Sequence, residues 1–383
     1  MKFDIGKKEM LEALRSVEPA VATRSSLPIL AGVKLEAVAG RIALEATDLE
    51  FAIRLQARAE TSDGHGRAVV PAKNLIKAVK AIAGSTVTIE FHDDEARPSI
   101  EVACQKKRVT IETFPVKDWP EITADLKWKA LWRAEAADLQ DVLGRIVLCA
   151  STDDARPVLT SVQFNMNLDE KRAEAVATDS YRLGLAGLDI EPMGETPERS
   201  PLVPARILKA LAKQLKNHDG QAILYLGTTG DSDRERMFVE FSFGGVNWVI
   251  RQIEGEFPNW RALMPDDSGS SFDYDSKELT SAVKSAAELR SQKNVPVRIA
   301  LGDSCALSMV EGQVATASET LERATYSPDG VGPMEMAFNP DYLLDAVTFL
   351  GSERGSMRAV DASKPAVFVG DSRRYVLMPV RLP

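Results

Sequence analysis

Six short segments of the chain place apolar side chains at the i, i+3 and i+4 spacing that lines one face of a helix. Three share the pattern apolar–x–x–small–apolar: Met10–Leu14, Leu139–Leu143 and Leu279–Val283. Leu75–Val79, Ile207–Leu211 and Leu343–Val347 form a second trio with the same rule. Interleaved, the six begin at residues 10, 75, 139, 207, 279 and 343, a step of 64 to 72 residues. Pro71, Pro204 and Pro340 stand just before the second trio, where a proline costs no helical hydrogen bond. Between the helices, alternating runs read as strands: Val87–Phe91, Ser99–Cys104, Arg108–Thr113, Gln163–Asn167 and Met237–Phe243.

Two strand intervals repeat a phrase, LEATDLEFAIRL at 44–55 and AVATDSYRLGLA at 175–186. Thr47 and Thr178 lie 131 residues apart, in phase with the helices, and a degenerate copy surrounds Ser318. The periods predict three similar domains of ~130 residues. Each is a doubled helix-plus-antiparallel-strands unit, so the class is α+β. The expected divisions are 1–125, 126–264 and 265–383.

Composition changes this picture little, with 44% hydrophobic and 27% charged residues as in an ordinary soluble globular protein. Charge changes it more. The net −9 argues at first sight against a phosphate-bearing partner. Lys73, Lys77 and Lys80, then Arg206, Lys209, Lys213 and Lys216, nevertheless recur along one face of the second-trio helices. They form either a solvated face or a segregated basic surface. Cys104, Cys149 and Cys305 are far apart, so no disulfide framework is read and a reducing cytosol is expected. The start of the chain has no apolar leader core, and no uncharged run approaches ~18 residues, so a soluble intracellular protein is expected.

Candidate chemistry is sparse. His65, His92 and His218 sit in turn-like contexts without partners at metal-ligand spacing, and GxSxG, GxxxxGK[ST] and GxGxxG are absent. No metal and no cofactor are expected. Asp48 and Asp179, in the paired ATD phrases, are either two carboxylates of a hydrolase or local acceptors for backbone N–H groups.

The phrases RSSLPILAGVKLEA (24–37), ATDLE (46–50), VPAKNL (70–75), ARPVL (155–159), ATDSYRL (177–183), EGEFPNWRALMP (254–265), FNPDYLLDAV (338–347) and YVLMPVRLP (375–383) together resemble the bacterial sliding clamp family, the beta subunit of DNA polymerase III. The resemblance runs in order along the whole chain. It implies the DNA-clamp fold and a homodimer: two three-domain protomers joined head to tail in a ring around duplex DNA. Such a ring is a non-catalytic processivity factor, cytoplasmic and nucleoid-associated. It tethers the alpha subunit of polymerase III and other polymerases and repair proteins that carry clamp-binding motifs, and a clamp loader opens it.

Carried over by motif, the resemblance implies a partner-peptide pocket of Arg156, Leu159, Thr178, Ser180, Tyr181, Arg182, Leu183, Pro258, Leu263, Asn339, Tyr342, Val376, Leu377, Met378 and Pro379. It implies DNA contacts at Arg24, Lys73, Lys77, Arg206 and Lys209, and a dimer interface of Val109 and Ile111 against Leu289. Several positions depart from the family pattern. Ser180 replaces a usual glycine, Tyr181 a common histidine and Ala262 a frequent basic residue. Asp153 and Asp154 bring carboxylates to a DNA-touching loop. Glu288 stands where a second apolar interface residue is typical, so its charge either pairs with a Lys such as Lys106 or Lys107 or leaves ring closure looser. These departures leave open a paralogous clamp, a second copy for inhibitor resistance or repair, with altered peptide preference.

Overall fold

All six expected helices form: α1 (Lys7–Val17), α2 (Ala72–Ala81), α3 (Ala136–Ile146), α4 (Ala205–Leu215), α5 (Ser276–Glu288) and α6 (Pro340–Leu350). The computed structural model describes the chain except residues 39, 64–65, 93, 95–96, 123–125, 217, 230–235, 266–267, 291, 293–294, 312–314, 331 and 382–383, and except the side chains of 61–63, 310–311 and 315. His65 therefore lies outside the described residues. The helical spacing buries what it should, Met10, Leu14 and Val17 in α1, Leu75 and Val79 in α2, and Leu343 and Val347 in α6. Asp275 caps α5 by accepting from the Lys277 and Glu278 N–H groups, and Gly351 ends α6 with φ 67°. Lys7 and Lys107 donate to carbonyls at the C-terminal end of α2, where the helix dipole favours a cation.

The described strands pair antiparallel and gather into two compact units. Unit 1 comprises residues 1–137, 191–195 and 210–252, and unit 2 comprises 138–190, 196–209 and 253–383. Each holds a nine-stranded sheet and a smaller one, of five strands in unit 1 and four in unit 2. This division differs from the sequence period, because each large sheet joins strands of the middle third to strands of an outer third. In unit 1, Val246–Arg251 pairs with Phe51–Arg58; in unit 2, Arg182–Asp189 pairs with Arg373–Leu377. The continuous hydrogen-bond ladder holds these segments together irrespective of their distance in sequence.

Predicted strands form within a residue or two of their expected bounds. Arg108–Thr113 is observed as Lys107–Glu112, with the Thr113 hydroxyl donating instead to the Pro98 carbonyl. The paired ATD phrases fold into one turn made twice. Asp48 Oδ1 accepts from Glu50 N at 2.9 Å and Phe51 N at 3.0 Å, and Asp179 Oδ1 from Tyr181 N at 2.9 Å and Arg182 N at 3.0 Å. The Thr47 hydroxyl donates to the Phe51 carbonyl and accepts from Leu49 N; Thr178 does the same with Arg182 and Ser180. Both aspartates are thus engaged with backbone donors, the structural alternative of the two read from the sequence.

Candidate functional site

The second of these turns is the hub of unit 2. Arg182, the first residue of its strand, is nearly buried and points at α6. Its Nε donates to Asp179 Oδ2 at 2.9 Å, and its Nη1 bonds Asp345 and lies 3.4 Å from the Tyr375 hydroxyl. That hydroxyl donates to the Tyr342 carbonyl at 2.9 Å. The guanidinium lies over the Tyr342 ring, 4.2 Å from its centroid, and Tyr342 in turn stacks against Tyr181 at 6.5 Å. Burial works against the charged form of Arg182, but Tyr375 and Asp345 more than offset it and its pKa is raised. Burial pushes the Tyr375 phenol well up, and the Cys149 thiol beside it likewise, so neither ionises near neutrality.

On the opposite face of the same strands lies an apolar cluster of Val176, Leu183, Trp260 and Val376, flanked by Leu185, Phe257 and Met264. A groove of about 980 Å³ shares Leu185 and Met264 and is bordered by Glu174, Arg261 and Arg374. Large apolar side chains left exposed among the described residues include Tyr181, Leu263, Met378 and Val380. The segment after Leu377 is tied down by its backbone, with Met378 N donating to the Tyr181 carbonyl at 2.9 Å and Val380 N to the Ala337 carbonyl at 2.7 Å.

The structure joins many of the residues singled out by sequence. Arg156 Nη1 donates to Ser180 Oγ at 3.2 Å, Thr178 and Arg182 share the turn, Tyr181 touches Tyr342 and Met378, and Leu183 packs on Val376. Leu159 is buried one turn from Arg156, whose carbonyl accepts its N–H, and Asn339 caps α6. Pro258 and Pro379 are half-buried, and Leu263 is exposed. Leu377 is different: it is fully buried, facing away from Val376, and offers only its backbone, which pairs with Arg182. Sequence reasoning passed over Val176, Trp260, Met264 and Asp345. All four lie within the repeated or family-like segments 175–186, 254–265 and 338–347, and Asp345 also stands one helical turn beyond Tyr342, so each carried a signal.

The remaining predicted residues fall on other surfaces. Lys73, Lys77, Lys80, Lys209, Lys213 and Lys216 are exposed, as are Arg206 and the loop residue Arg24. Val109 and Ile111 lie on Lys107–Glu112, the edge strand of the five-stranded sheet, and line a cavity of about 750 Å³ with Lys77, Ala78 and Phe114. Leu289 is not within α5 but follows it as the C-cap residue, half exposed, next to the exposed Glu288. Among the described residues, no group of three or more His, Cys, Asp or Glu is placed to hold a metal, and no helix is long and apolar enough to cross a membrane.

Comparison with known proteins covers the whole chain. Residues 1–123 match the family model of the DNA polymerase III beta subunit, N-terminal domain; 134–259 match its central domain and 261–381 its C-terminal domain. The chain is 26% identical to the beta sliding clamp of Streptomyces coelicolor, covering 100% of both. Identity to the beta sliding clamp homolog GriR of Streptomyces muensis is 27%, over 100% of this chain and 99% of that one. The solved structure of Caulobacter crescentus pol III beta superposes with a TM-score of 0.87 at 25% identity, over 100% of each chain.

Proposed function

The chain belongs to the DNA polymerase III beta subunit family, the bacterial sliding clamps, and from that premise we propose how its surfaces divide the work of a clamp. Two copies close head to tail, the edge strand with Val109 and Ile111 meeting the partner around Leu289. Domains 1–125, 126–264 and 265–383 alternate around the ring, in keeping with the three family matches. Lys73, Lys77, Arg206 and Lys209, with Arg24, face duplex DNA. They attract phosphates without reading bases, so contact is weak, salt-dependent and compatible with sliding. Asp153 and Asp154 weaken that contact locally. The protein performs no chemistry and acts in the cytoplasm by tethering.

Tethering falls to the surface around Arg182 in unit 2. The observation that carries this is the apolar cluster of Val176, Leu183, Trp260 and Val376, on strands that the engaged Arg182 braces from their other face. A mainly aliphatic surface with a flexible methionine, on strands held rigid from behind, suits short linear motifs from several partners. These include the alpha subunit of the polymerase, the clamp loader and repair proteins. Ser180, Tyr181 and Ala262 at this surface favour a second reading, a paralogous clamp with altered peptide preference. Deleting Met378–Pro383 is the test: binding of a polymerase-derived clamp peptide, followed by calorimetry, should be lost while light scattering still gives a dimer. Unchanged affinity would contradict the assignment. Tight binding of that peptide to the intact chain would remove the second reading.

A further inference from the structure

The apolar surface of unit 2 has a counterpart in unit 1, and there the chain has filled it with charge. A tryptophan lies over matching strands in each unit. Trp260 Nε1 donates to Gln163 Oε1 at 3.2 Å, and Trp119 Nε1 to Glu45 Oε1 at 3.3 Å. Strand register fixes the equivalent positions. Gln163 pairs with Val176 as Lys34 pairs with Glu45, and Val176 pairs with Leu185 as Glu45 pairs with Arg54. Leu183 pairs with Val376 as Ala52 pairs with Val249. Where unit 2 carries Gln163, Val176 and Leu185, unit 1 therefore carries Lys34, Glu45 and Arg54.

Those three side chains form a tight cluster. Glu45 Oε2 is 2.9 Å from Lys34 Nζ and 3.2 Å from Arg54 Nε, and the Lys34 ammonium sits 5.7 Å from the Trp119 ring centroid. The Lys34 and Glu45 side chains are only 11% and 9% exposed. Above them opens a cavity of about 620 Å³, which Glu36 and Arg41 also line. Room for a ligand exists on both units, and the chemistry of the floor is what differs.

We propose that the Lys34–Glu45–Arg54 cluster bars apolar partner peptides from this second, repeat-related surface, so that each chain offers a single docking pocket. A leucine or phenylalanine settling on the cluster would strip the last water from paired charges and return no hydrogen bond. The same side chain settling on Val176, Leu183 and Leu185 releases water from apolar surface alone. Both Glu45 oxygens are already taken, so the cluster needs no ligand of its own. The proposal rests on the reading of unit 2 as the peptide pocket.

Its test transplants the unit 2 residues into the full chain as Lys34→Gln, Glu45→Val and Arg54→Leu. A synthetic pentapeptide bearing leucine and phenylalanine side chains is titrated calorimetrically into wild type and triple variant. Stoichiometry is expected to rise from one to two peptides per chain, and deleting Met378–Pro383 from the variant should leave one. One-to-one binding by both proteins would overturn the proposal alone, whereas no binding to wild type would remove the pocket reading and the proposal together. Should the variant not fold, a benzophenone-bearing form of the peptide is photolysed on wild type. Labelling confined to unit 2 upholds the barrier, and labelling of residues 32–58 or Trp119 overturns it.

Discussion

Leu49 and Ser180 hold the same left-handed backbone position in the same turn, with φ of 78° and 80°. A side chain there costs about 1–2 kcal/mol, offset in part by the ~0.5–1 kcal/mol of chain entropy that glycine forfeits on folding. Leu49 is 39% exposed, so removing it loses little packing. Leu49→Gly is therefore expected to stabilise the chain by up to ~1 kcal/mol in urea unfolding, and Leu49→Val to destabilise it by at least about 1 kcal/mol. A glycine variant less stable than wild type would contradict the strain assigned to this turn.

Asp345 acts on the docking surface from behind, through its bond to Arg182. Asp345→Asn keeps an acceptor but removes the charge that helps hold the guanidinium over Tyr342. Loss of a nearly buried charge-assisted bond costs on the order of 1.5–3 kcal/mol. Peptide affinity should fall roughly tenfold or more, corresponding to about 1.4 kcal/mol, while the dimer persists. Asp345→Glu should recover part of it. Calorimetric titration of all three proteins checks this, and full affinity in Asp345→Asn would refute it.

Glu45 gives unit 1 a distinct acid limb. Burial would raise its carboxyl, but Arg54 and Lys34 more than offset this and hold it below the ordinary carboxylate value of about 4.3. A depressed folded-state pKa contributes stability that is complete above the unfolded value and is lost as pH falls through the folded one. Chemical denaturation between pH 7 and pH 2 should show this loss in wild type and a shallower one in Glu45→Gln. The variant should also be weaker at neutral pH, because Lys34 and Arg54 lose their shared partner. Superimposable pH profiles would count against the cluster as described.

Glu288 tests the proposed seam. Its carboxylate is exposed beside Leu289, where a closing interface would bury it. Glu288→Leu should tighten the dimer several-fold in analytical ultracentrifugation, because closing the seam then no longer strips water from a carboxylate. Ile111→Asp should give monomers. A dimer indifferent to both changes would place the seam elsewhere.

Much of this was legible because it is local. The helices follow from apolar spacing, and the Asp48 and Asp179 turns from a repeated phrase whose Thr-Asp chemistry satisfies its own backbone. What was hidden depends on register between distant strands. Nothing near Phe51 announces that Val246–Arg251 will pair beside it, so the two nine-stranded sheets and the Lys34–Glu45–Arg54 cluster could not be read from spacing. The apolar floor escaped for the same reason, since Val176 and Trp260 meet only once the sheet forms. Leu377 is the instructive case. Alternation alone sets it on the face opposite Val376, a period-two signal that the motif resemblance overrode.

A protein that holds DNA by encircling it is retained only while the DNA has no free ends. The most direct measurement loads labelled protein onto nicked circular duplex DNA with a clamp loader and ATP, then linearises half the sample and follows retention by gel filtration. Protein is expected to stay with the circle for many minutes and to be lost rapidly from the linear form. Equal retention on both, or equal loss from both, would contradict it.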